Sequence, residues 1–427
     1  MPERIRININ RSCLVNKRNG HYCRSCMMET TSFVPADQIF KLCIEKFNSL
    51  PRTGKPTTNE WTVLSCIIQC DSNSKNAKVI SLGTGTKCIG SDQLCEKGLI
   101  LNDSHAEVMA RRGFLRYLYA SIRNYLSDGS PLAYNEQTGK YSIKNGISFH
   151  FFSTHAPCGD ATIVSKSTGD EEIEPGTKKM KLSPEFTDNF TGAKLIAANE
   201  NTDLMSQDEG AIRTKPGRGI RTLSVSCSDK LSRWNILGIQ GALINIFLDK
   251  PVYFETLTFS GQVSEISVKR ALYGRWRKVS FNSERYKLQM PRINICSPDL
   301  KFEFEQTTET DPSPASIVWA DVQEKPLEVA VSGKRQGVTK SKRNTISGAL
   351  RISKVWLFHE FVSTLSSQPS LQKSFYPNSD DFHKITYKEA KFCSEEYQSA
   401  WNLLKTDYFQ NWTKKSEKLL DFKLEDR

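Results

Sequence analysis

Apolar residues fall in short blocks whose spacing changes along the chain, and that spacing predicts a mixed α/β protein. In residues 35–47 the apolar positions Ile39, Phe40, Cys43, Ile44 and Phe47 recur at helical spacing and predict a first helix. Residues 61–69 and 78–82 are rich in Val, Ile and Leu with polar breaks between, and read as neighbouring strands of one sheet. Ser104 then stands as the cap of a long helix with Val108, Leu115, Leu118, Ile122 and Leu126 on one face, an amphipathic element laid on that sheet. A third strand, residues 147–153, feeds a turn at Pro157-Cys158-Gly159-Asp160. After Arg221 the pattern predicts a helix over 231–247, a strand over 252–259 and long helices over 352–365 and 387–412. Strands alternating with helices give an α/β domain.

Two stretches break this pattern. Residues 1–34 are basic, poor in acids and aperiodic, and read as a disordered extension; a zinc knuckle from Cys13, His21, Cys23 and Cys26 is the alternative. Residues from about 165 to 212 are rich in Gly, Ser, Thr, Asn, Asp, Glu and Lys with few aromatics, and read as a mobile surface insertion in one domain spanning 35–427. Lys178, Lys179 and Lys181 within it read as a solvated charge cluster, or as a nuclear import signal.

Composition adds a bias towards polyanions. Lys and Arg number 59 against 47 Asp and Glu, for a net charge of +12. No run reaches the roughly 18 to 20 apolar residues of a membrane span, and no secretory apolar region opens the chain, so an intracellular protein of nucleus or cytoplasm is expected. The 12 cysteines are scattered, as buried thiols and a few metal ligands would be in a reducing compartment.

Three motifs carry the candidate chemistry: His105-Ala106-Glu107, Pro157-Cys158-Gly159-Asp160, and Ser226-Cys227-Ser228-Asp229-Lys230. One His and two Cys make three ligands of a catalytic zinc, whose fourth position is left for water. Glu107 would stand beside that water without ligating the ion and carry its proton to a leaving amine, the arrangement of a nucleobase deaminase. Each motif falls at an expected helix start, where the dipole favours thiolate. The compact Pro-Cys-x-x-Cys signature of such enzymes is absent, and the second thiol, Cys227, lies beyond the insertion. A surface excursion can lengthen at small thermodynamic cost while its ends stay adjacent.

On these residues the chain resembles the adenosine deaminases that act on RNA, most closely their tRNA-specific branch. The likeness is carried by Gly83-Thr84-Gly85-Thr86-Lys87-Cys88-Ile89-Gly90, Leu101-Asn102-Asp103-Ser104-His105-Ala106-Glu107-Val108, the two cysteine motifs with Arg233-Trp234-Asn235, Lys215-Pro216-Gly217-Arg218-Gly219, and Tyr387-Lys388-Glu389-Ala390-Lys391 with Tyr397-Gln398. It implies a cytidine-deaminase-like central sheet flanked by helices and elaborated by C-terminal helices into one large editase domain. The resemblance also implies zinc on His105, Cys158 and Cys227, Glu107 relaying protons, and Thr86 and Lys87 lining the nucleotide pocket. It further implies a buried inositol hexakisphosphate held by Asn102, Arg111, Arg112, Lys230, Arg233, Trp234, Tyr387, Lys391, Tyr397, Trp412 and Lys415, with Trp401 where some relatives carry lysine. A polyphosphate can satisfy many cations whose unpaired burial would be prohibitive. Read without the resemblance, the same residues make a solvated RNA-binding face.

The substrate implied is the adenosine immediately 3′ of the anticodon in alanine tRNA, with Arg213, Lys215, Arg218 and Arg221 as backbone contacts or, equally, a solvated basic loop. Neither DNA, membrane nor an obligate protein partner is expected. A deaminase of duplex RNA or of cytidine, and an inactive zinc-stabilised RNA-binding relative, are the competing readings.

Overall fold

The strands that read as continuous apolar runs lie in the middle of one sheet, covered on both faces. A computed structural model describes residues 34–164, 192–196, 203, 206–216, 220–276, 281, 283–376 and 384–424. Its main sheet has eight strands: β1 Leu64–Asp71, β2 Asn76–Thr84, β5 Ile147–Ser153, β6 Thr256–Phe259, β7 Arg292–Ile295, β8 Ala315–Ala320, β9 Leu327–Val331 and β10 Lys334–Arg335. The spatial order is β7-β6-β5-β1-β2-β8-β9-β10, with β5, β6 and β7 parallel and every other pair antiparallel. Two short strands, β3 Thr86–Cys88 and β4 Asp103–His105, form their own antiparallel ladder.

Helix α1 (Ala36–Ser49) covers one face of the sheet, where Ile39, Phe40, Cys43 and Phe47 meet Leu64, Cys66, Ile68 and Phe152. Helix α2 (Ala106–Arg123) covers the other, where Phe114, Tyr117, Leu118 and Ile122 meet Ile67, Ile80, Phe149 and Phe151. Burial on both faces is why β1 has no clean period of two in the sequence. On the α2 side, α6 (Lys354–Ser366) brings Val355, Phe358 and Phe361 onto the same core, and α7 (Pro369–Phe375) follows it.

Local chemistry moves several expected boundaries. The run over 61–69 divides: Glu60–Trp61 pairs in parallel with Asp311–Pro312, and the main strand starts at Leu64. Ser104 lies in β4 and is not the helix cap; His105 takes that place, without a capping side-chain bond, and Leu126 lies past the helix end, 83% exposed. The helix expected over 231–247 is interrupted: α3 (Cys227–Leu237) stops at Gly238, and α4 (Gly241–Asn245) follows. Only the last four residues of 252–259 pair as β6. The helix expected over 387–412 is two, α8 (Tyr387–Phe392), opened by a capping box from Thr386 and Glu389, and α9 (Glu395–Asp407), so Trp412 stands beyond both. Between α4 and β7, α5 (Glu265–Leu272) completes the helical layer.

Within the span read as an insertion, Lys194–Leu195 forms a strand that pairs antiparallel with Arg213–Thr214, ahead of the restart expected at Arg221. Cys13, His21, Cys23, Cys26, Lys178, Lys179, Lys181 and Arg218 lie outside the described residues.

Candidate active site

The fold brings the three motifs to one point. The His105 Nδ1 atom lies 3.8 Å from the sulfur of Cys158 and 3.8 Å from that of Cys227, and the three donor atoms all fall within 4.8 Å of one another. Cys227 opens α3, whose N-cap Ser226 accepts a hydrogen bond from the Asp229 backbone N–H. Cys158 does not open an α-helix as expected; only a 3₁₀ turn, Asp160–Thr162, follows it. The turn is instead locked onto α3: the Cys227 N–H donates to the Cys158 sulfur at 3.3 Å, and the Ser228 N–H to the Cys158 carbonyl at 3.0 Å. Gly159 permits this approach, since a Cβ there would sit 2.3 Å from the Ser226 hydroxyl and its φ is +105°. Asp160 ties the turn down from below, receiving Arg270 at 3.2 Å and the Gly210 N–H at 2.6 Å.

Glu107, on the first turn of α2, is 3% exposed, and its Oε2 has no hydrogen-bond partner among the described residues. Thr86 is the cross-strand partner of His105 and has a buried hydroxyl in the same condition. Lys87 pairs across the ladder with Ser104. Two buried polar atoms left without partners next to a ligand cluster are costly unless a bound group completes them. Gly83 lets this corner close, because a Cβ there would lie 2.5 Å from the Ala106 carbonyl and the Ala110 nitrogen of α2. A hydrogen bond from Cys227, outweighing burial and aided by Lys215 and His105, pulls the Cys158 thiol well below its ordinary value.

Three of the residues expected to touch RNA serve the protein instead. Lys215 is fully buried and donates to the Cys227 sulfur at 2.9 Å and to the Asp103 carboxylate at 2.9 Å. Burial disfavours its ammonium, but Asp103, aided by the neighbouring cysteines, holds its pKa well above the ordinary value. Arg213 is also fully buried and donates to the carbonyls of Ser206 at 2.6 Å and Asp208 at 2.8 Å. Arg221 is half-buried and donates to the Leu195 carbonyl at 2.5 Å. Neither Arg213 nor Lys215 presents its charge to solvent, so a phosphate contact is closed to both.

Asp103, which the sequence offers only as part of a motif, also receives Lys230 from α3. Burial pushes its carboxyl up, but Lys215 and Lys230 outweigh this and hold it well below the usual carboxylate range. A continuous path of charged contacts thus runs from Cys227 through Lys215 and Asp103 to Lys230.

Beyond Lys230 lies a cluster of cations. Arg111 and Arg112 follow Glu107 on α2, Arg233 follows Lys230 on α3, and Lys391 and Lys415 come from the C-terminal segment. The structure adds Lys354 from the first turn of α6, which the sequence reading missed. Burial and the neighbouring cations press several of these downward: Arg111 to about 10, Lys391 and Lys415 to about 8, and Lys354 to about 7. Among the described residues no carboxylate lies within ion-pair distance of any of the six. Backbone and aromatic groups hold them: Arg111 donates to the Ile239 carbonyl and lies over Trp234, and Lys354 donates to the Leu419 carbonyl. Arg233 reaches the Tyr397 hydroxyl at 3.1 Å, yet its Nε finds no partner among the described residues. Trp401 and Trp412 lie against the Arg233 guanidinium, and Lys391 lies near the Tyr387 ring. Asn102 is half-buried, and its carbonyl receives the Ile89 N–H.

A family model described as the adenosine-deaminase (editase) domain matches residues 81–416. The chain is 45% identical to the tRNA-specific adenosine deaminase 1 of Drosophila melanogaster, over 90% of this chain and 96% of that protein. It is 31% identical to the Homo sapiens protein of the same name, over 91% of this chain and 99% of that one. It is also 31% identical to the double-stranded RNA-specific adenosine deaminase of Mus musculus, over 91% of this chain but 32% of that protein. The match over most of its length, with a His/Cys/Cys cluster beside Glu107, places the chain in the adenosine-deaminase (editase) domain family, whose reaction is the hydrolytic deamination of adenosine.

Proposed function

We propose that the chain converts adenosine to inosine in tRNA, at the adenosine immediately 3′ of the anticodon of alanine tRNA, with a zinc ion on His105, Cys158 and Cys227. The observation that carries this is the buried Glu107 carboxylate oxygen without a partner beside one imidazole and two thiols within 4.8 Å of one another. That donor set fits a catalytic zinc with three protein ligands. When bound, the ion supplies Lewis acidity that makes water a nucleophile at neutral pH. Glu107 takes the proton from the attacking water and delivers it to the amine nitrogen, so that water adds at the ring carbon and ammonia leaves. The Thr86 hydroxyl, buried beside His105, supplies a polar contact for the base or its ribose. An inactive RNA-binding relative would have no use for a buried, uncompensated carboxylate at this place.

The tRNA reading is favoured over duplex RNA by the extent of the matches. The tRNA-specific relatives are covered over 96% and 99% of their lengths, the duplex-specific one over 32%. The cation cluster supports inositol hexakisphosphate as a second bound group, since six basic side chains with no carboxylate at ion-pair distance among the described residues suit a polyanion. Asn102, Tyr387, Tyr397 and Trp412 would border it with the cations. The test is to incubate the protein with a tRNA pool and read adenosine-to-guanosine changes in the cDNA. Inosine beside the alanine anticodon is expected, and a pool left unedited by well-folded, zinc-loaded protein overturns the assignment.

A further inference from the structure

Between Val329 and His359 the chain has seven Lys and Arg and no Asp or Glu. Three of them, Lys334, Arg335 and Arg343, line a groove of about 510 Å³ at the β9–β10 edge of the sheet, with Gln93 on its far wall. Lys340 and Lys342 stand beside it in a single 3₁₀ turn. All five are exposed except Arg335, which is half-buried. Among the described residues none of them lies within ion-pair distance of a carboxylate.

The groove is fixed to the active site by backbone. Gln93 belongs to the turn that follows β3, the strand carrying Thr86. On the opposite wall, the Gly333 carbonyl at the hairpin tip accepts the Leu101 N–H at 2.9 Å. Leu101 stands four positions before His105, at most about 14 Å of chain. The strands that flank the reacting centre thus continue into the walls of the groove.

No aromatic residue lines it, so it offers no platform for stacking bases. Lysines on long stems and arginine forks suit phosphate oxygens, which hold a strand without reading its sequence. We propose that this groove is a phosphate track for the RNA, gripping the backbone of the arm whose adenosine enters beside Glu107. The proposal rests on the tRNA deaminase reading and deepens it: the groove selects a folded RNA of sufficient length, and the pocket selects the base.

The test is the quadruple variant Lys334→Ala, Lys340→Ala, Lys342→Ala, Arg343→Ala in the full chain, whose altered positions are all on the surface. Binding of a tRNA transcript should weaken roughly tenfold or more at about 0.1 M salt. The slope of log Kd against log salt should fall by about 0.7 to 0.9 for each phosphate contact removed. In turnover the effect should fall on KM rather than on kcat. Unchanged tRNA affinity and salt slope, in a variant that still edits, overturn the groove while leaving the deaminase reading intact. If instead the parent protein binds tRNA and the variant does not, yet neither forms inosine in any tRNA, the groove stands and the deaminase reading falls. Loss of binding to a polyglutamate peptide with tRNA affinity retained assigns the groove to an acidic protein partner and overturns it as an RNA site.

Discussion

The ammonium of Lys215 donates a 2.9 Å hydrogen bond to the sulfur of Cys227, and both groups are fully buried. A lysine that reads as an RNA contact thus spends its donors inside the protein, on the sulfur of a candidate metal ligand and on the Asp103 carboxylate. Lys215→Met should cost up to about 3–5 kcal/mol of stability, because the buried Asp103 carboxylate loses one of its two cationic partners and keeps only Lys230. Urea unfolding with elemental analysis of the folded fraction checks this, and a variant as stable and as zinc-rich as the parent would show that the contact is idle.

Glu107→Gln keeps the shape of the side chain and removes its capacity to take a proton. Inosine formation should fall by about 10²- to 10⁴-fold, with zinc content and unfolding midpoint unchanged. Turnover near the parent rate would remove Glu107 from the proton path.

Cys227→Ala should lose the metal outright, since two remaining ligands do not make a stable zinc site. Cys70→Ala is the control: its thiol is buried on the opposite face of the sheet, where burial pushes its pKa up to about 12, and it should leave zinc content intact. Equal zinc in both variants would place the ion elsewhere.

The cation cluster predicts an unusual pH dependence. Burial, with repulsion from neighbouring cations, lowers Lys354 to about 7 and Lys391 and Lys415 to about 8, whereas in the unfolded chain lysines hold their protons to about 10.4. Between those values the unfolded chain binds more protons, so the polyanion-free fold should gain stability as pH rises from about 7 to 10. With inositol hexakisphosphate bound the amines acquire partners, their pKa values rise, and that gain should vanish or reverse. Thermal midpoints at several pH values, for protein refolded with and without the polyphosphate, test this. Mass spectrometry of the denatured native protein should also release the compound. Parallel profiles and no released polyphosphate would exclude it from the cluster.

The candidate ligands are legible because each sits in a short motif bearing its own local signals, and the structure brings the side chains of His105, Cys158 and Cys227 together. Less legible were the features set by distant partners. Lys215 reads as exposed because charged side chains nearly always are, and nothing nearby in sequence announces Asp103 as its partner; Arg213 is missed because the carbonyls of Ser206 and Asp208 that receive it lie in a span read as a surface insertion. Lys354 reads as an ordinary helix-start lysine until α6 is folded against α2 and the C-terminal segment. The breaks at Gly238 and at Ser394 interrupt runs whose apolar spacing stays helical throughout, so periodicity alone joins what caps and turns divide. Ser104 loses the cap because the β3–β4 ladder claims it first.

The donors of the metal cluster come from positions 53 and 69 residues apart along the chain, on a strand end, a turn and a helix start. No short peptide cut from this protein can therefore bring the three donors together, and a newly made chain must settle its strand register before they meet. Zinc retained at the proposed site would in that sense certify correct assembly, and a molecule with a slipped strand or an undocked α3 is expected to be metal-free.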